Sequence, residues 1–246
     1  MTFDGFGWAQ PTISAGGVVD AGSGQSPIAP GSYVSIYGAG LSEYTDSVLY
    51  APNALPLSLD GVTVSFDVPS AKLSYPGRIV FVSPRQINVQ VPWELQGQAS
   101  AQVKVTLDSF IFGNVVAVPL ADTAPSFFEN SGMAAALDQN SAIVTAANPA
   151  KRGQIVQLYL NGLGPVNGGP ASGEYASNTL LARTKVDPAV TIGGQPAEVK
   201  FSGLAPGFPG LYQVNAVVPA GISAGAAPIS LTIGGATTKA STLPVN

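Results

Sequence analysis

The sequence repeats one unit, and this repeat restricts the fold more than any other feature does. Residues 86–92 read QINVQVP and residues 213–219 read QVNAVVP, so both share the pattern Gln-aliphatic-Asn-x-x-Val-Pro at an offset of 127 residues (213 − 86). Residues 31–37 and 153–159 match at an offset of 122 (153 − 31). The offset grows while both patterns persist, which indicates an insertion in a surface loop. The chain is therefore interpreted as a tandem repeat.

Both copies carry the pattern of β-strands. Apolar and polar residues alternate with a period of two in residues 31–38, as they do in half-buried strands. The 29 Gly and 21 Pro residues supply turn signals between such runs, and closely spaced strands predict β-sandwiches. A β-bulge is expected at Gly113-Asn114. Helices are predicted only as short turns, near residues 93–95 or 180–183.

The domain boundaries follow from the repeat. We expect a tail over residues 1–12, a first domain over residues 13–122 and a second domain over residues 123–246. The start of the tail has neither a basic segment nor a long apolar segment, so it is interpreted as the remnant of a processed precursor and not as a signal peptide. Low charge and many short polar residues suit an exported protein, so the expected location is extracellular or the cell surface.

The charge pattern argues against two classes of partner. Only 10% of the residues are charged, the net charge is −4, and the basic residues are scattered along the chain. Because no Lys or Arg cluster can neutralise phosphates, nucleic-acid binding and attraction to an anionic membrane are not expected. No apolar run approaches the roughly 18 residues that a membrane span requires, so membrane insertion is not expected either.

The chain contains no His and no Cys, and this limits its chemistry. A Ser-His-Asp triad, a Cys-His pair and zinc sites built from these residues are excluded. A pair of carboxylates of the glycosidase type stays open. We nevertheless predict no enzyme activity, no metal and no cofactor, because the acidic residues fall mostly near inferred turns, as do Asp46, Asp60, Asp108, Asp138 and Asp187.

The repeated amides allow two interpretations. Strand alternation places Gln86, Asn88 and Gln90 on one face of a strand, with Ile87 and Val89 on the other. One interpretation is that amides on an exposed sheet face bind a sugar or a partner strand. The other is that they hydrogen-bond neighbouring loop backbone, and it is favoured because both copies keep the motif. The predicted structural motif comprises Gln86, Asn88, Pro92, Gln213, Asn215 and Pro219.

Aromatic and basic residues near loop ends are the candidate residues for binding a ligand or a partner. Exposed rings can stack on sugars, and Tyr, Trp and Arg are common anchors at interfaces. The alternative is that the rings close the open ends of each sandwich. Arg85 and Trp93 are candidates for a function particular to the first domain, because the second copy has Tyr212 and Ala220 in their places. The candidates are Trp93, Arg85, Tyr75, Phe208 and Tyr212.

Four stretches carry a family resemblance. They are residues 29–38 (APGSYVSIYG), 82–95 (VSPRQINVQVPWEL), 161–166 (NGLGPV) and 201–215 (FSGLAPGFPGLYQVN). The chain resembles the uncharacterised C-terminal domain family that is abundant in Solibacter and related acidobacterial secreted proteins. The resemblance implies paired immunoglobulin-like domains of the IPT/TIG kind, at the C-terminal end of larger exported proteins, with no established activity. The chain departs from this family at residues 65–73, where a longer hairpin replaces a short Asn-Gly turn.

These features together predict an all-β chain of two tandem immunoglobulin-like β-sandwiches related by an internal repeat. The leading functional hypothesis is a non-enzymatic extracellular module with a surface, adhesion or accessory-binding role. Carbohydrate binding by the loop aromatics is the first alternative, and the partner would be a polysaccharide or another surface protein. Self-assembly by pairing of edge strands is the second alternative, and the sequence leaves the oligomeric state open.

Overall fold

The computed structural model describes residues 10–48 and 54–246, and most of the predicted tail, residues 1–9, lies outside them. Within the described residues the chain consists of β-strands, connecting loops and two single-turn 3-10 helices, Pro69–Ala71 and Trp93–Leu95. The helical turn predicted near residues 93–95 is confirmed, whereas residues 180–183 form no helix.

The described strands of the first half form two antiparallel sheets. One sheet has the order β1-β2-β7-β6-β3 and the other has the order β5-β4-β8-β9. The strands are β1 (Thr12–Asp20), β2 (Tyr33–Ala39), β3 (Asp46–Ser47), β4 (Val62–Val68), β5 (Leu73–Pro76), β6 (Arg78–Val82), β7 (Gln86–Gln90), β8 (Ser100–Leu107) and β9 (Ile111–Pro119).

The second half repeats this arrangement. One sheet has the order β10-β14-β18-β17 with β13 also beside β14, and the other has the order β16-β15-β19-β20 with β21 also beside β19. The strands β11 and β12 pair with each other. The strands are β10 (Ser126–Phe127), β11 (Glu129–Asn130), β12 (Met133–Ala134), β13 (Ala136–Leu137), β14 (Ile155–Asn161), β15 (Ala189–Ile192), β16 (Gln195–Ala197), β17 (Val199–Leu204), β18 (Tyr212–Val217), β19 (Gly225–Ile233), β20 (Ala236–Thr237) and β21 (Ser241–Val245).

The strand order identifies the fold. In the immunoglobulin arrangement, strands A, B, E and D form one sheet, and strands C, F and G form the other. In the first half β1, β2, β7 and β6 take the places of A, B, E and D, while β4, β8 and β9 take those of C, F and G. In the second half β10, β14, β18 and β17 face β15, β19 and β20 in the same way. The protein therefore contains two tandem immunoglobulin-like β-sandwiches, as the sequence predicted.

The internal repeat extends to the pairing register. Ser35 lies opposite Asn88 in the first half, and the equivalent Gln157 lies opposite Asn215 in the second. The neighbouring strand is irregular at the same place in both halves, between Ile79 and Phe81 and between Val199 and Phe201. Register is set by which face each side chain must occupy, so the two copies keep one alternation pattern and one bulge.

Each sandwich has its own hydrophobic core. The strand β4 shows how the pattern produces it, because Val62, Val64, Phe66 and Val68 are buried while the residues between them are half-exposed. These side chains meet residues of the opposite sheet such as Ile87. Burying one side chain of this size contributes about 1.5–3 kcal/mol, so the two cores are the main source of stability.

Two irregular features of the first half were predicted. The bulge at Gly113-Asn114 is confirmed, because these two residues oppose Val105 alone. The Asn114 side chain accepts the backbone N–H of Ile13 at 2.7 Å and donates to its carbonyl at 2.9 Å, which ties β9 to β1. The hairpin at residues 65–73 is long, since the turn Pro69–Ala71 lies between β4 and β5.

Candidate functional site

Asn161, the last residue of β14, joins the two halves of the chain. Its fully buried side chain accepts the backbone N–H of Tyr33 at 2.9 Å and donates to the carbonyl of Tyr33 at 2.7 Å. One side-chain amide thus satisfies both backbone groups of Tyr33, as a neighbouring strand does in a sheet. The equivalent residue of the first copy, at an offset of 122, is Ala39, so the contact belongs to the second copy alone.

Asp20, at the end of β1, completes this contact. Its buried carboxylate accepts hydrogen bonds from Asn161 Nδ2 and Ser126 Oγ, both at 2.6 Å and both from the second half. It also accepts the backbone N–H groups of Gly22 and Ser23 at 3.1 and 2.7 Å, and the Ser23 hydroxyl at 2.9 Å. These hydrogen bonds replace the water that a buried carboxylate gives up.

Gln90 forms a second bridge between the halves. The side chain is fully buried, its Nε2 donates to the Gly31 carbonyl at 3.1 Å, and its Oε1 accepts the N–H of Gly173 at 2.7 Å. Gly173 has a φ of +85°, and a Cβ at this position would lie 2.8 Å from Cδ of Arg78. Glycine is therefore required here for both the backbone conformation and the close approach. The residue equivalent to Gln90 in the second copy is Val217.

Tyr33 extends the contact to another loop of the second half. Its hydroxyl donates to the Pro209 carbonyl. Burial, and to a smaller extent the neighbouring Tyr175, raises the pKa of the Tyr33 phenol above its usual range. The phenol therefore stays protonated and keeps donating this hydrogen bond at neutral pH.

Trp93 lies in the same junction. Its half-buried ring packs against the core of the second half and covers Gly31, where an added Cβ would lie 2.2 Å from two ring carbons. Its backbone N–H donates to Ser172 Oγ at 2.8 Å, and that hydroxyl donates to Glu94 at 2.6 Å. Within the described residues, the buried Nε1 of Trp93 and the buried Nε of Arg78 have no hydrogen-bond partner. Trp93 thus serves mainly to join the halves.

The repeated amides hydrogen-bond each other. Gln86 Nε2 donates to Asn88 Oδ1 at 2.8 Å, and Gln213 Nε2 donates to Asn215 Oδ1 at 2.8 Å. Ser35 Oγ donates to the same Asn88 oxygen at 3.1 Å. These two pairs therefore bond side chains on the sheet face, whereas Gln90, on the same strand, bonds loop backbone at Gly31 and Gly173 as the sequence suggested. Of the two repeated prolines, Pro92 is buried and Pro219 is half-buried.

An open row of side chains lies on the outer face of the first sheet. Asn88 lies opposite Ser35 on one side and Phe81 on the other, and Tyr37 lies opposite Gln86. Tyr37 is 44% exposed, and the side chains of Phe81, Gln86 and Asn88 are half-exposed. Ser35 is only 5% exposed and supports Asn88 through its hydrogen bond. We call the four accessible residues the open row: Tyr37, Phe81, Gln86 and Asn88.

The equivalent row of the second half is less accessible at its rings, whereas its amides Gln213 and Asn215 are half-exposed like Gln86 and Asn88. Phe201, which takes the place of Phe81, is 7% exposed, and the Arg183 guanidinium lies 5.0 Å from the centre of its ring. Tyr159, which takes the place of Tyr37, is half-buried, and burial raises the pKa of its phenol. The two copies share their amides but differ in the access that solvent has to the rings.

The other residues predicted to bind a ligand differ in how exposed they are. Tyr212 is fully buried, and its hydroxyl donates to the Gly164 carbonyl, so the ring cannot contact a ligand at the surface. Tyr75 is half-buried against the first core, Phe208 is 52% exposed, and Arg85 is exposed. The sequence reasoning missed Asp20, Asn161 and Tyr37 as site residues. Asn161 could have been found because the equivalent residue of the first copy is Ala39, so the amide is particular to the second copy.

Many of the acidic residues serve turns and loops. Asp138 accepts the N–H groups of Ala142 and Asn140, and the first of these bonds contributes most to lowering the pKa of its carboxyl. Glu129 accepts the Ser241 hydroxyl at 2.6 Å. In the part of the chain that the structure describes, no group of three or more acidic side chains is arranged to hold a metal ion. No helix there is long and apolar enough to cross a membrane.

Three of the sheet edges are short, interrupted or covered, whereas β9 is a nine-residue edge strand with Phe112 and Val115 exposed. β3 has two residues, and β16 contains Pro196. The edge of β17 is covered by residues 182–184, where Thr184 donates to Ser202 and Leu204 donates to Ala182. The edges formed by β3, β16 and β17 therefore disfavour pairing between chains.

The comparisons with known proteins find only distant likenesses. No family model and no curated protein matches the chain. Its structure is similar to that of Bacteroides ovatus SGBP-B, from a mixed-linkage glucan utilization locus, in complex with a mixed-linkage heptasaccharide. The identity there is 12% and the TM-score 0.33, over 89% of this chain and 43% of that one.

Two further structures show similar degrees of likeness. For a tandem pair of titin Ig domains the identity is 10% and the TM-score 0.24, over 96% of this chain and 93% of that one. For the plexin A4 extracellular region the values are 7% and 0.27, over 94% and 33%. This chain therefore spans less than half the length of the first structure and about a third of the plexin chain. These likenesses assign neither a relative nor a ligand.

Proposed function

We propose that the chain is a non-enzymatic extracellular module whose two immunoglobulin-like domains form one rigid unit for adhesion or accessory binding at a surface. The observation that carries the proposal is the buried junction. Asp20, Tyr33 and Asn161 satisfy one another only in a single relative arrangement of the two halves. Such a junction suits a module that holds the binding surfaces of its two domains at a fixed distance from each other. Motion between the domains would leave buried polar groups without partners.

Two acidic residues of the junction, Asp20 and Glu94, have structural roles. The carboxylate of Asp20 is fully engaged in the junction, and Glu94 accepts the Ser172 hydroxyl beside it. A glycosidase-type pair needs one carboxylate that is free to protonate the leaving group and a second one that is free to attack or to activate water. Protonation or nucleophilic attack by Asp20 would break the hydrogen bonds that hold the junction.

The rigidity of the unit can be measured directly, because the chain has no Cys and each introduced Cys is a unique labelling site. Spin labels at Gln102→Cys on β8 and Thr232→Cys on β19 would report the distance between the halves by pulsed electron resonance; both positions are exposed. We expect one narrow distance distribution. A broad distribution in the otherwise unaltered chain would contradict the positioning role.

The non-enzymatic and extracellular parts of the proposal need separate tests. A screen of hydrolase substrates, including glycosides, should give no turnover above buffer, and turnover by purified protein would contradict the proposal. On intact cells of the producing organism, externally added protease should remove the protein. Its protection until the cells are broken would contradict a surface location.

A further inference from the structure

We infer that the open row on the outer face of the first sheet binds a neutral polysaccharide chain. This goes beyond the proposed function, which requires rigidity and a surface but names no ligand chemistry. The inference also moves the carbohydrate site away from the loop aromatics, since Trp93 packs on the second core and Tyr212 is buried.

The amides of the open row are held in place with part of their hydrogen-bonding capacity unused. Asn88 Oδ1 accepts from both Gln86 and Ser35, which fixes the orientation of both amide groups. Asn88 Nδ2 and Gln86 Oε1 make no hydrogen bond to any described residue. A fixed N–H₂ donor and a fixed carbonyl acceptor side by side match sugar hydroxyls, which both accept and donate.

The fold does not require the Tyr37 ring to be exposed beside these amides. The second copy keeps the amide pair but buries much of Tyr159 and covers Phe201 with Arg183. The amides are thus used by the fold in both copies, while only the first copy leaves a tyrosine ring 44% exposed next to them. An aromatic face beside fixed polar groups is the composition of a site that takes an apolar sugar face and its hydroxyls together.

The absence of charge in the row favours a neutral ligand. No residue of the open row carries a formal charge, and the same is true of Ser35. Arg85 precedes Gln86 in the sequence but is not part of the row. An acidic polysaccharide would gain most from paired basic side chains, which the row itself does not supply.

The row also has a rigid support. Tyr33 and Gln90, at the other end of the same two strands, are fixed by contacts with the second half. The outer face therefore has one end buried in the junction and one end open to solvent. Neighbouring strands lie about 4.8 Å apart, so the three strands β2, β7 and β6 present a strip about 10 Å wide.

The test is affinity electrophoresis of the full chain in gels that contain laminarin, xylan, galactomannan or hydroxyethyl cellulose, with alginate and pectate as acidic probes. We expect retention in at least one neutral gel. Tyr37→Ala and Gln86→Ala should each weaken it about tenfold or more. Tyr37→Phe should keep most of the retention, because it preserves the ring. Far-UV circular dichroism of each variant identifies any that fails to fold.

Two matched controls use the rest of the chain. Tyr44→Ala removes a tyrosine that is 61% exposed but lies outside the row, and Gln213→Ala removes the equivalent amide of the second copy, whose rings are less exposed. Both should leave retention unchanged.

Three outcomes would overturn the inference. The first is the absence of retention in every neutral gel, and the second is retention that only Phe208→Ala abolishes, which would place the site in the loop. The third is retention confined to alginate or pectate and lost in Arg85→Ala, which would replace the neutral ligand by an acidic one. None of these outcomes contradicts the rigid-unit proposal.

Discussion

Replacing Asn161 by Ala tests the junction most directly. The change removes the side-chain amide and leaves the Tyr33 N–H and one oxygen of the Asp20 carboxylate without their partners. A buried polar group left unpaired costs about 1–3 kcal/mol, and more when it is charged. We therefore expect a loss of about 3–5 kcal/mol, which is a large part of the roughly 5–15 kcal/mol that stabilises a typical domain.

The loss should appear in a specific form. Urea unfolding followed by far-UV circular dichroism should show one transition for the unaltered chain and two for Asn161→Ala. Asn161 and Asp20 lie 141 residues apart, so their hydrogen bond couples the two halves and does not stabilise either one alone. Asn140→Ala is the control, since that exposed side chain takes part in no such network. It should change stability by less than about 0.5 kcal/mol.

A second variant separates hydrogen bonding from shape. Asn161→Asp keeps the size of the side chain but places a carboxylate against Asp20, so it should destabilise the chain at neutral pH at least as much as Ala does. Adding Asp20→Asn should recover part of the loss, because a donor and an acceptor then face each other again. A loss below about 1 kcal/mol for Asn161→Ala, with a single transition retained, would refute the proposed role of this contact.

Three further predictions concern the junction and the second core. Trp93→Ala should lower the free energy of unfolding by about 3 kcal/mol or more, because it removes packing between the halves. Trp93→Phe should lower it clearly less, because it keeps a ring and removes the unpaired Nε1. Chemical denaturation measures both variants, and equal losses would contradict the packing argument. Burial raises the pKa of Tyr212 above its unfolded value of 10.0, so its contribution is complete below pH 10 and is lost as the pH rises further, by about 1.4 kcal/mol per pH unit. Because the pKa values of Tyr33 and Tyr159 are also raised, Tyr212→Phe should reduce, and not abolish, the fall in stability measured between pH 9 and about pH 11. An unchanged slope would contradict the prediction. Gly173→Ala should destabilise more than Gly97→Ala in thermal unfolding, since both have φ near +80° but only Gly173 would place its Cβ against Arg78; equal effects would mean that backbone strain alone matters.

The burial of Tyr212 could have been read from the sequence. Strand alternation that turns Gln213 and Asn215 outward also turns Tyr212 inward with Val214 and Ala216. Its position beside a Gly- and Pro-rich loop suggested exposure instead. The period of the strand decided the outcome, because a single change of register would expose a whole core face to water.

The open row shows where the sequence stops being informative. Tyr37 and Tyr159 occupy equivalent positions of the two copies, and the sequence alone does not distinguish them. Only the folded chain brings Arg183 over Phe201 and leaves Tyr37 open. That difference depends on the path of a long loop, which alternation does not specify.

The sequence by itself determined the class of fold, the duplication and the pairing face of each repeated strand. The strands and turns depend on alternation and turn residues within a few positions of one another, and the duplication can be read by aligning the two copies. The tertiary structure alone decided how the halves join. Asp20 meets Asn161 across 141 residues and Trp93 meets Ser172 across 79, so neither pair has a local signal. The sequence marks such positions only as differences between the copies, with Asn161 against Ala39 and Gln90 against Val217, because the interface has to be asymmetric where the strands themselves repeat.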